Sequence, residues 1–258
     1  MDRRTFVGAI GAAALAGFAG CSSGARAASG PPTVPADALE SGGWEQVGAD
    51  TQDPAFERSV GPVTVTATTV TRVYEDAALR ATVRDRTLGQ VDARLASFFA
   101  SRVSFDPDLA SLPAGVGRAE LLDRIETQAS NAFEGRLRSA GLTEIERAGS
   151  GSLDVESGAE ARRLDYEAAY AFDGFSFPLS AEKKLTVGGG SLSVAGHLAT
   201  WYANGSVLVA GGAYPAENFA QTVEKSPTEA IDVAVDIDLG LEPERYRTEL
   251  MDLVRQVE

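Results

Sequence analysis

A chain of 258 residues that is 44% hydrophobic has room for one sizeable core, and its 37 acidic against 23 basic residues give a formal charge of -14. That distributed negative charge, with no run of Lys and Arg interleaved with aromatics, excludes nucleic acid as a partner. With one Cys and one His, an internal disulfide, a blue-copper site and most metal or acid–base sites fall away too.

Among the basic residues only Lys183, Lys184 and Lys225 are lysines; the rest are arginines. Repulsion among so many carboxylates acts over ~8 Å at ordinary ionic strength but only ~3 Å near 1 M salt. Carboxylates also retain water and cations where a lysine stem adds apolar surface, so the composition suits a halophilic source. A GC-rich codon bias produces the same lysine scarcity together with the abundance of Ala, Gly and Arg, and the two causes are compatible.

Residues 1–20 read as a signal peptide: a charged start at Asp2, Arg3 and Arg4, an apolar stretch from Phe6 to Phe18, then Phe18-Ala19-Gly20-Cys21. The apolar stretch is shorter than the ~20 residues a membrane-spanning helix needs. Arg3-Arg4-Thr5-Phe6-Val7 resembles the twin-arginine export signal. The segment ending at Cys21 resembles a lipobox, which implies a lipid on the Cys21 sulfur and a mature chain that begins there. Residues 21–55, rich in Ser, Gly, Ala, Pro and Asp, read as a flexible tether, interrupted by Trp44 where its last part is expected to dock.

Residues 56–258 are expected to form a single α+β domain. Val63 to Tyr74 alternates β-branched residues, and Leu79, Ala81 and Val83 continue the period after a Glu75-Asp76 turn, which predicts a hairpin. Thr87 with Gln90 makes a capping box, predicting a helix through Leu88, Val91, Leu95, Phe98 and Phe99 to Ser101. A second amphipathic helix is predicted from Leu122, Ile125, Ala129, Ala132, Phe133 and Leu137, ending before Gly141. Beyond it, Leu164, Tyr166, Ala168, Tyr170 and Phe172 mark one face of a strand. Leu192 to Tyr202 and Val207 to Val209 form a hairpin about Asn204-Gly205. Alternation from Ile231 to Leu239 precedes a last helix after Pro243. The order predicts an antiparallel β-sheet packed with two or three amphipathic helices.

The search for chemistry yields little. His197 lacks a nucleophile elbow and sits mid-strand, Gly188-Gly189-Gly190 reads as a turn because no Lys-Ser or Lys-Thr follows, and Asp236 and Asp238 belong to a solvated strand face rather than a calcium loop. The 37 acids offer many carboxylate pairs of the kind glycoside hydrolysis uses, and spacing singles out none. Tyr166, Tyr170, Phe172, Phe175, Phe177, Trp201, Tyr202 and Tyr214 fit a packed core or an aromatic groove for an apolar or sugar ligand. Asn204-Gly205-Ser206 is a glycosylation sequon on a turn. No catalytic residue, cofactor or metal site is assigned.

The signal motifs, the acidic lysine-poor body and the stretch Leu208-Val209-Ala210-Gly211-Gly212-Ala213-Tyr214-Pro215-Ala216-Glu217-Asn218 together resemble an uncharacterised family of haloarchaeal lipoproteins that carry a domain of unknown function. The order of elements resembles, more loosely, the PsbP-like accessory proteins, which implies partner binding rather than catalysis. The expected function is a lipid-anchored cell-surface protein, exported and held at the outer face of the cytoplasmic membrane. Its domain is expected to bind an envelope protein or a small ligand. The alternatives are an envelope hydrolase using a carboxylate pair and a structural envelope component.

Overall fold

The alternation of Val and Thr that opens the predicted hairpin is continued by a longer strand before it, and the two form one edge of the main sheet in the computed structural model, which describes residues 30–60, 63–108, 118–178, 184–228 and 231–258. A short helix, α1 (Ala36–Ser41), leads into β1 (Trp44–Val60) and β2 (Val63–Asp76), followed by α2 (Ala77–Arg86) and β3 (Ser97–Asp106). Then come α3 (Arg118–Ser139), β4 (Leu142–Asp154), β5 (Glu160–Phe172), β6 (Phe175–Pro178) and β7 (Lys184–Val187). The chain closes with β8 (Gly190–Ala203), β9 (Ser206–Pro215), β10 (Ala220–Thr228), β11 (Ile231–Asp238) and α4 (Pro243–Arg255).

Seven strands pair in the order β1-β2-β3-β9-β8-β5-β4, every pair antiparallel, while β6-β7 and β10-β11 form two separate ribbons. Both edge strands are irregular. Register breaks in β1 between Gln46 and Gly48 and between Gln52 and Phe56, the latter enclosing Pro54, and β4 breaks between Thr143 and Glu146. Bulges and an edge proline of this kind discourage pairing with another chain.

The expected α+β class is therefore corrected. The protein is mostly β, with 53% strand and 24% helix among the described residues, around a seven-stranded antiparallel sheet. Three local readings account for the difference. Trp44 to Ala55, assigned to the tether, is sheet: Trp44 pairs with Asp76 and docks its ring edge-on to Phe98 at 6.2 Å. Polar and acidic residues fit there because an edge strand needs only part of its surface dry.

Leu79, Ala81 and Val83, read as a returning strand, lie in α2, where Leu79 and Val83 are buried and Ala81 is exposed. Asp76 caps that helix, its carboxylate accepting from the Leu79 N–H at 2.7 Å. Thr87, read as a helix start, instead closes α2: its hydroxyl donates to the Val83 carbonyl at 2.7 Å and accepts from the Val91 N–H at 3.1 Å. The predicted helix to Ser101 is consequently a loop followed by β3, whose Phe98 and Phe99 enter opposite faces of the sheet. The helices predicted over Leu122–Leu137 and after Pro243, and the Asn204-Gly205 hairpin, are where the sequence places them. Asn204 and Gly205 both have positive φ, 52° and 81°, as a tight hairpin turn requires.

Two cores result. Over one face lies α4, with Tyr246, Leu250, Leu253 and Val254 packed beside Phe98, Tyr74 and Trp201. Over the other lies α3, with Leu121, Ile125, Phe133 and Leu137 beside Phe99, Tyr166, Leu198 and Val209. Strand β9, between them, is buried at every position. Its Gly212 is where α4 comes nearest, since a Cβ there would collide with the Ser97 carbonyl oxygen and lie 2.7 Å from Leu250 Cδ1.

Gly212→Ala is expected to destabilise the protein by ~1–3 kcal/mol through overpacking, and Leu250→Ala by ~2–5 kcal/mol through a cavity. The double variant is expected to lose less than the two single losses combined, because the shortened side chain makes room for the new methyl. Denaturant midpoints of the four proteins measure this, and strict additivity would show that the two positions do not meet.

Candidate ligand-binding groove

Helix α3 runs along one face above β4, β8 and β9, held down by its apolar stripe and by a buried polar bridge. Ser130 and the Tyr166 hydroxyl share a hydrogen bond of 2.7 Å, and Arg147 donates to Ser130 Oγ at 2.9 Å. Over β2 and β3 the helix presents its flank, with Phe133 packed on Phe99, and a groove is left beside it.

Two spaces open along that groove. The first, about 330 Å³, has Thr71, Ser101, Val103 and Val209 in its lining from the sheet, Ile125 and Ala129 from α3, and Gln52, Gln128 and Asn131 at its polar margin. The second, about 280 Å³, is more apolar, with Val73, Val194 and Ala213 from the sheet and Leu137 and Leu142 at the far end of α3. Phe99, Phe133 and Arg136 line both and so form the neck between them. The first space alone falls within the ~300–1,000 Å³ range of small-molecule sites.

Two features give the groove polar character. Thr71 Oγ1 and Ser101 Oγ lie 2.8 Å apart in a buried pair. One hydroxyl proton serves that bond, which leaves the other available to a guest. Arg136 Cζ sits 4.6 Å from the centroid of the Phe99 ring, and Phe99 and Phe133 pack with centroids 5.8 Å apart. Arg136 is exposed as a whole residue, yet crowding around its guanidinium lowers its pKa from the ordinary arginine value, with Asp50 opposing that shift through space. The group stays charged at neutral pH.

The residues singled out in the sequence lie elsewhere. His197 is on the opposite face, beneath α4. Its Nδ1 is 2.7 Å from Asp165 Oδ1 and its Nε2 is 3.1 Å from the Tyr214 hydroxyl, while Arg163 pairs with the same Asp165 carboxylate at 2.9 Å. A carboxylate orienting an imidazole is the geometry of a general base, but here the imidazole faces a tyrosine whose pKa burial pushes up. Both ring nitrogens are occupied, so the cluster is a satisfied polar ladder.

Gly188 to Gly190 links β7 to β8 as a turn. Asp236 accepts from Thr222 at 2.7 Å, and Asp238 from Asn218 at 2.8 Å. Asn204 is exposed at its turn. The aromatics do not form one groove: Tyr166 belongs to the α3 face, Trp201 and Tyr214 to the α4 face, and Phe172 stacks edge-on to Phe219 at 5.0 Å. Arg3, Arg4 and Cys21 lie outside the described residues. The groove residues Thr71, Phe99, Ser101 and Arg136 carry no sequence signal, because an arginine on a helix flank reads as a solvated face and hydroxyls alternating in strands read as polar positions.

Burial lowers the His197 pKa, outweighing the hydrogen bond that its Nδ1–H donates to Asp165 and that favours the cation. A base with a depressed folded-state pKa leaves the unfolded state binding more protons below its ordinary value of ~6.5, so this residue's contribution falls as pH drops from ~7 toward ~5. His197→Gln is expected to give a shallower loss of melting temperature over that range than the parent. Equal slopes would show that the imidazole stays uncoupled from folding.

A family model for a domain of unknown function, DUF6517, matches residues 31–258. No curated protein and no solved structure matches the chain. The match takes in every described element, including the edge strand β1 and both helices that cover the sheet, and the chain belongs to the DUF6517 family.

Proposed function

We propose that this protein is a lipid-anchored, cell-surface binding protein of a salt-adapted, haloarchaeal envelope, whose groove beside α3 takes a small ligand. The groove carries the binding half of the proposal: two adjoining spaces with largely apolar walls, a spare hydroxyl and a cation that lines both. A histidine-based active site has no comparable support, since the one histidine is occupied by Asp165 and Tyr214. The anchoring half rests on Arg3-Arg4, the apolar stretch and Ala19-Gly20-Cys21. One acyl chain binds a membrane marginally and two bind it stably, at ~0.8 kcal/mol per buried methylene.

The fold bears on how such an anchor would hold the domain. Thr33 exchanges backbone hydrogen bonds with Glu258 at 2.5 and 3.0 Å, so the chain is tied to the domain far earlier than a tether ending at Ala55 implies. From Cys21 to Thr33 an extended chain, at ~3.3–3.6 Å per residue, spans at most about 40 Å. An anchor at Cys21 would therefore keep the domain close to the membrane, with the Thr33–Glu258 corner toward it. Asn204 is exposed on its turn, which leaves its side chain open to a glycan.

Cys21→Ser is expected to move the protein from the membrane to the soluble fraction, and intact mass of the parent is expected to show loss of the first 20 residues together with added acyl chains. Membrane retention of the serine variant would sink the anchoring half without touching the groove. The charge of -14 predicts in addition that the melting temperature rises between about 0.1 M and about 1 M KCl, as screening shortens from ~10 to ~3 Å. A melting temperature that falls over this range would count against salt adaptation.

A further inference from the structure

The two spaces beside α3 differ in character, and a cation stands where they join. In the first, Thr71 and Ser101 present hydroxyls and Gln52 an amide from the sheet, and Gln128 and Asn131 present amides from α3; the second is lined chiefly by aliphatic and aromatic residues, with the Glu75–Arg94 ion pair also in its lining. A guest that fills both must be polar at one end and apolar at the other.

The sign of its polar end follows from Arg136. In a chain this acidic, arginines meet carboxylates readily: Arg80, Arg94, Arg138, Arg162, Arg245 and Arg255 each hold one at 3.1 Å or less. The guanidinium of Arg136 meets none at ion-pair distance among the described residues, and Asp50 acts on it only through space. Its Cζ lies 4.6 Å from the centroid of the Phe99 ring, and a guanidinium can offer a carboxylate two parallel hydrogen bonds.

We propose, resting on the reading of this groove as a binding site, that its ligand is an amphipathic carboxylate. The carboxylate pairs with Arg136 at the neck, within the same space as the spare Thr71–Ser101 hydroxyl, and the aliphatic body enters the apolar chamber bounded by Val73, Leu137, Val194 and Ala213. Phe99 and Phe133 close around the junction of head and tail. The net charge of the chain opposes approach of an anion from a distance, and concentrated salt removes that opposition while screening the partly enclosed pair much less.

Octanoate and octanol, two probes of equal tail length, separate the claims. Binding of each to the purified full-length chain is measured calorimetrically in concentrated KCl, against protein-free buffer of the same composition. Octanoate is expected to bind more tightly than octanol. Arg136→Gln is expected to weaken octanoate roughly 10-fold or more, the loss of a charge-assisted bond, and to change octanol by less than about 2-fold. Ala132→Trp, which plugs the groove from the exposed side of α3, is expected to abolish both. If the two probes bind parent equally, or Arg136→Gln leaves octanoate unchanged, the carboxylate assignment is wrong and the groove stands. If neither probe binds the parent, or Ala132→Trp leaves binding intact, the groove itself is not the site.

Discussion

Strand β9 is dry along its entire length, and a strand buried on both faces obliges the chain to supply a cover on each side of the sheet. The covers are unequal. Over one face α4 presses Leu250 against Gly212, a position at which only the absence of a side chain lets helix and sheet approach. Over the other, α3 spans the half of the sheet built from β4, β8 and β9 and is pinned there by Ser130, Tyr166 and Arg147. The β2–β3 half keeps only the flank of that helix, and the groove is the consequence. Its position follows from the central strand and not from any motif.

How far the sequence speaks depends on whether a pattern has one reading or two. Ile231 to Asp238 alternates without interruption and forms β11, and Asn204-Gly205 turns β8 into β9, because both patterns demand a single backbone conformation. Leu79 and Val83 are four apart, a spacing that satisfies a strand and a helix alike; the carboxylate of Asp76 decided for the helix by taking the Leu79 N–H. Thr87 and Gln90 fit a capping box, yet the Thr87 hydroxyl is spent at the end of α2. Phe98 and Phe99 are adjacent, which a helix and a two-faced strand both accommodate, and only pairing with β2 and β9 distinguishes the two. The groove was invisible for a different reason: Thr71 and Ser101 meet through pairing of β2 with β3, Arg136 joins them through the packing of α3, and no spacing encodes either.

His197 and Arg136, on opposite faces, are partnered differently. Beneath α4, Arg163, Asp165, His197 and Tyr214 follow one another within 3.1 Å, and this chain of partners holds the imidazole by both its nitrogens. Beside α3, Arg136 has an aromatic ring for a partner and no carboxylate, and two hydroxyls share a single bond. Proteins seldom leave a partly desolvated cation and a buried hydroxyl short of partners unless something else completes them. The histidine, which chemistry alone would nominate first, is thus the residue whose needs are met within the fold. The arginine, which sequence reading passes over as surface, is the one whose needs point outward, into a space of a size and polarity that an amphipathic anion fits.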